Sequence, residues 1–108
     1  VHAEPPPCLP GCANAANRAR DLADALTSGH HCDVPLAVVA SVEEKTAVVH
    51  VSRWCDALGA VEPAFLEIRL DTGDPLGDQT FTAAAARELG AGFTRGAELL
   101  ESAARQQD

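Results

Sequence analysis

A two-layer α+β domain is predicted by three features of the sequence. Two β-branched runs flank a short polar turn, a third strand follows them, and a long closing segment has helical periodicity. The expected architecture is a three-stranded antiparallel sheet covered by a long C-terminal helix, with a shorter helix on the N-terminal side. Residues 1–12 are expected to form an extended Pro-rich arm, and 13–108 a single domain.

Each element has its own signature. Proline fixes φ and restricts the residue before it, so Val1 to Gly11 reads as extended chain. From Ala13 to Thr27, Ala15, Ala19, Leu22 and Leu26 recur at helical spacing, and Gly29 is a suitable stop. "DVPLAVVAS" and "KTAVVHVSRW" then read as a hairpin around "VEEK". With the turn centred on Glu43 and Glu44, Ala40 faces Ala47, Val38 faces Val49, Leu36 faces Val51, Val34 faces Arg53 and Cys32 faces Cys55. That face collects nearly every apolar partner, and the other carries Asp33, Ser41, Thr46, His50 and Ser52. In "AFLEIRL", Leu66, Ile68 and Leu70 share one side. Thr82 is a good N-cap for a helix from about Ala83 to Arg105. Ala86, Leu89, Phe93, Gly96, Leu100 and Ala103 form its expected apolar stripe, and Gly90, Gly92 and Gly96 suggest close approach to the sheet.

A chain of 108 residues with 46% hydrophobic residues sustains a modest core, though alanine supplies much of that fraction and aromatics are few. The net charge of −8, with one lysine and scattered arginines, argues against sequence-independent nucleic-acid binding and favours solubility. No apolar run reaches the roughly 20 residues of a membrane helix, so no membrane partner is expected. No signal-peptide pattern is visible, which predicts a cytoplasmic protein; a leader already removed would make it secreted. Methionine is absent even from position 1, as in a processed chain or one whose GTG start is read as Val1.

Catalytic patterns are thin. Asp71-Thr72-Gly73 follows an apolar strand, as the catalytic aspartate of an aspartic protease does. The second apolar strand and glycine motif of that fold do not follow, and Asp, Gly and Pro are also ordinary turn residues. Ser41 and Ser52 lie in no nucleophile elbow, and no phosphate-binding glycine loop is present. His50 reads as a solvated residue and Trp54 as packing on a sheet edge. A non-enzymatic protein is the expectation.

The cysteines and histidines carry the remaining chemistry. Structural zinc takes four Cys or His ligands in a tetrahedron. Cys8-x3-Cys12 supplies one pair, and His30-x-Cys32, projecting to one side of an extended segment, supplies the other. Cys55 is an alternative to His30 as fourth ligand. A helix drawn over Ala13 to Thr27 would span about 22 Å, and the extended residues after it return only about 17 Å. The four-ligand site therefore requires a shorter helix or an arm folded back. Disulfides Cys32–Cys55 and Cys8–Cys12, in an oxidising compartment, and four free thiols are the competing readings.

"CLPGC", "GHH" and "FTAAAARELGAGFTRGAELLESA" together resemble a family of small actinobacterial proteins of unknown function. Its members open with a Cys-Pro-x-Trp-Cys type motif, carry a histidine further on, then a few strands, and close with a helix beginning Leu-Thr-Pro-Ala-Glu-Ala. Gly11 stands at the tryptophan position, no proline follows Thr82, and Cys32 takes the place of a further histidine. Arginine in excess of lysine and heavy alanine use fit a GC-rich genome. The resemblance implies fold and source and carries no activity. The expected function is a small zinc-stabilised interaction or regulatory domain that binds a protein partner or itself. A secreted, disulfide-stapled binding protein is the alternative.

Overall fold

Residues 7–23 and 29–106 are described by a computed structural model. A 3-10 turn, Ala15–Asn17, leads into helix α1, Arg18–Ala23. Strands β1 (Gly29–Ala40), β2 (Thr46–Asp56) and β3 (Phe65–Leu70) form an antiparallel sheet in the order β1-β2-β3. Helix α2 (Ala83–Gln106) packs on one face of it, completing the predicted two-layer α+β fold. Among the described residues no helix is long and apolar enough to cross a membrane.

The first helix starts later than the periodicity suggested, a 3-10 turn at Ala15–Asn17 preceding α1. None of the six residues of α1 is buried, so packing adds little to intrinsic propensity. Gly29, expected to end this helix, instead opens β1. Positions 24–27 of the expected helix and 1–6 of the expected arm lie outside the described residues.

The hairpin register also departs from the expected one, twice. The turn is an odd loop, Ser41 to Lys45, closed by the Ser41 N–H on the Lys45 carbonyl at 2.7 Å, with Glu44 left-handed at φ 64°. Ala40 therefore pairs Thr46, and Val39 pairs Ala47. A bulge between Pro35 and Ala37 shifts the ladder again, so Val34 pairs Val51, Cys32 pairs Arg53 and His30 pairs Cys55. Proline brings no N–H to the ladder, and β1 is an edge strand where that is tolerated. The shift lets His30, Cys32 and Val34 on one side of the bulge, and Ala37 and Val39 on the other, all join the core face. Val38, expected inside, is 59% exposed.

Thr82 caps α2 as expected, its Oγ1 accepting the Ala85 N–H at 3.2 Å. The buried stripe is rotated from the expected one. Ala85, Leu89, Gly92, Gly96, Leu99 and Ala103 face the sheet, while Phe93 is 41% exposed. A Cβ on Gly92 would stand 2.7 Å from Ala37 Cβ, and one on Gly96 would overlap the Leu66 side chain. Missing methyl groups thus set the layer separation, whereas Gly90 faces open space.

The core has two parts. Leu9, Cys32, Val34, Val51 and Ala103 form one, and Val39, Ala47, Val49 and Leu89 the other.

The opposite face is also partly buried, against expectation. His50 is 1% exposed: its Nδ1 lies 2.6 Å from Asp33 Oδ1 and its Nε2 2.9 Å from Glu67 Oε1, while Ser52 Oγ donates to Asp33. His50 sits on the central strand, so neighbours from both β1 and β3 close over it. Trp54 packs across Gly29 on edge strand β1. The Asp71-Thr72-Gly73 segment is a turn, with Gly73 at φ 92° and its N–H on the Leu70 carbonyl.

Candidate metal centre

Local chemistry explains how the two cysteine-bearing segments meet. In "CLPGC" the Cys12 N–H donates to the Leu9 carbonyl at 3.1 Å, and Gly11 has φ 83°. Proline followed by a left-handed glycine is the pattern of a type II turn, and it folds Cys12 back toward Cys8. The Ala13 N–H then donates to the Asp33 carbonyl at 2.7 Å and Asn14 Nδ2 to the His31 carbonyl at 2.9 Å. These bonds lay the segment along the outer edge of β1. Leu9, 2% exposed, anchors it in the core, and Arg53 donates to the Pro7 carbonyl at 2.6 Å.

As a result Cys8, Cys12, His30 and Cys32 come together, their ligand atoms all within 4.8 Å of one another, and can hold a metal ion. His30 Nε2 lies 3.4 Å from Cys8 Sγ and 3.9 Å from Cys12 Sγ. Tetrahedral zinc, with bonds of about 2.3 Å to sulfur and about 2.0 Å to nitrogen, sets its ligands roughly 3.5–3.8 Å apart. The cluster is close to that size already. Its assembly meets one of the two conditions set by the sequence geometry: the described residues of the arm, from Pro7 on, fold back onto β1.

Asp21 completes the arrangement. Its Oδ2 lies 2.9 Å from His30 Nδ1, within a side chain fully withdrawn from solvent at the histidine. A carboxylate on Nδ1 holds the proton there and leaves the Nε2 lone pair facing the thiols, the tautomer a metal needs. Sequence reasoning missed Asp21, whose one signal is its place in the first helix after Cys12.

The thiols are unequal. Burial pushes Cys12 up, but N–H groups of Asp33 and Asn14 and the His30 and Cys32 side chains aimed at its sulfur outweigh this, bringing it down to about 7. Burial pushes Cys32 up to about 12, and the neighbouring thiols add to the rise. Burial also raises Cys8. Backbone N–H groups on Cys12 and, from Leu9, on Cys32 are the donors that steady thiolates in a metal site.

Cys55 is not in the cluster. It is buried opposite His30, while Cys32 stands opposite Arg53, so the expected Cys32–Cys55 juxtaposition does not occur. All four cysteines are free thiols. The buried Arg53 shares the core face with Cys32 and brings positive charge to this end of the sheet.

Comparison of the chain with protein-family models, with curated proteins and with solved structures returns no match.

Proposed function

We propose that the protein is a small non-enzymatic interaction or regulatory domain whose N-terminal half is held together by a structural zinc ion on Cys8, Cys12, His30 and Cys32. The observation that carries this reading is the convergence of three thiols and an imidazole whose far nitrogen is held by Asp21. Soft sulfur donors with one imidazole suit zinc, and four protein ligands leave no position for substrate, as in structural rather than catalytic sites. Three thiolates on a divalent ion carry a net charge of −1, which the buried Arg53 nearby helps to offset. Free thiols as ligands fit a reducing, cytoplasmic setting.

The interaction role rests on the sheet face that α2 leaves uncovered, where Val38 and the 50% exposed Phe65 lie. Protein or a second copy suits such a surface better than nucleic acid, given the charge of −8.

Metal analysis of protein purified without chelator tests the zinc reading. One zinc per chain is expected, with the visible absorption of a tetrahedral thiolate site on cobalt replacement. A fully folded chain without stoichiometric zinc would overturn it.

A further inference from the structure

The ligands are divided between two segments that nothing else links covalently at close range. Cys8 and Cys12 belong to the arm, and His30 and Cys32 to β1. Apart from the ligands, Pro7 to Asn14 is held by the Leu9 anchor, two bonds to β1 carbonyls and the Arg53 contact. A two-residue Pro-Gly turn has no regular secondary structure to sustain it.

The rest of the molecule stands apart from this attachment. The core of Val39, Ala47, Val49 and Leu89 contains no described residue of the arm. Pairing of β2 with β3, and the His50 cluster on the far face, also lie outside it.

We propose that the metal centre is a latch: occupancy docks the arm on the outer edge of β1, and loss of the metal releases it while the β2–β3–α2 body stays folded. This rests on the zinc reading. Release would uncover the carbonyls of His31 and Asp33 and the apolar socket that Leu9 fills beside Val34 and Val51. In the latched state the occupant of that edge is the chain's own arm, so the contact is autoinhibitory toward the strand edge. Binding and docking are linked, and each strengthens the other by the same factor.

Hydrogen exchange on the full chain tests the proposal, zinc-loaded and after removal of zinc by EDTA in the presence of reductant, with zinc content measured in both samples. The expected result is faster exchange, by roughly tenfold or more, at Cys12 and Ala13, with the amides of β2 and the centre of α2 unchanged. Unchanged exchange in a chain verified to have lost its zinc would overturn the latch, as would loss of protection throughout the molecule. A chain that never takes zinc overturns the zinc reading itself, and the two failures are distinguished by the metal measurement. Leu9→Ala supplies a second test that leaves every ligand in place. Zinc affinity should fall roughly tenfold or more because the docking anchor is gone. Equal affinity in wild type and variant, measured by chelator competition, would sink the linkage.

Discussion

Single residues decide whether the cluster forms. Gly11 at φ 83° has its Cβ position 3.3 Å from Val34 Cγ1, so Gly11→Ala brings both backbone strain and a tight contact. A loss of about 1–2 kcal/mol in the stability of the zinc-loaded protein is expected, measured by urea unfolding at fixed zinc. Asp21→Ala should weaken zinc binding by roughly 10–100-fold, the usual effect of removing a partner that orients a ligating histidine. Chelator competition reads it, and an unchanged affinity would remove Asp21 from the site. Protons compete with the metal at the same sulfurs. A thiol lowered to about 7 at Cys12 stays available for binding above that pH and is progressively protonated below it. Zinc affinity should therefore fall as pH drops through about 7, which competition measurements across the acid range will show.

Among the elements, α2 offers the sharpest contrast. Gly92 lies against Ala37 and Gly90 faces open space. Gly90→Ala should stabilise the protein by about 1 kcal/mol through helix propensity. Gly92→Ala should destabilise it despite the same propensity gain, because the added methyl meets Ala37 and the backbone behind it. Thermal melts of the two variants should shift in opposite directions. Much of this level was legible in advance: strand positions, the N-cap at Thr82 and close approach at Gly96 all follow from local pattern. Register was not. Period-two alternation cannot show where one residue is bulged out, and in β1 the apolar residues on both sides of Leu36 suit a core face. Pro35 was the available sign of the bulge. The helix stripe was misjudged for a similar reason: Phe93 outweighs Gly92 on any hydrophobicity scale, yet only the glycine fits where the sheet is nearest.

At the scale of the whole molecule, the four candidate ligands and their grouping were readable from residue type and spacing, while the geometry that brings them together was not. It depends on the Pro-Gly turn, which folds Cys12 back, and on the β1 bulge, which shifts Cys32 by a residue. Asp21 and the burial of His50 needed the assembled fold, since both depend on partners far away in sequence. The polar cluster at His50 links all three strands: its imidazole touches carboxylates from β1 and β3. His50→Ala leaves Asp33 and Ser52 without that partner in a partly buried place and should cost about 2 kcal/mol, measured from the urea midpoint at constant slope. Far from the site, the net charge of −8 makes self-repulsion a general term, so moderate salt should raise the thermal midpoint of the zinc-loaded protein.

The covered edge of β1 gives the sheet a polarity of growth. Ala13, Asn14 and Arg95 occupy the carbonyls of Asp33, His31 and Leu36, which shields that side from pairing with another strand. On β3, among the described residues, the outer edge is met only near its end, where Arg69 bridges Pro75 and Leu70 binds Asp74. A second copy extending the sheet of a latched protein therefore has one side to join, across a two-fold axis beside Phe65 to Ile68. Such pairing would close after two chains, because among the described residues each contributes one open edge, that of β3.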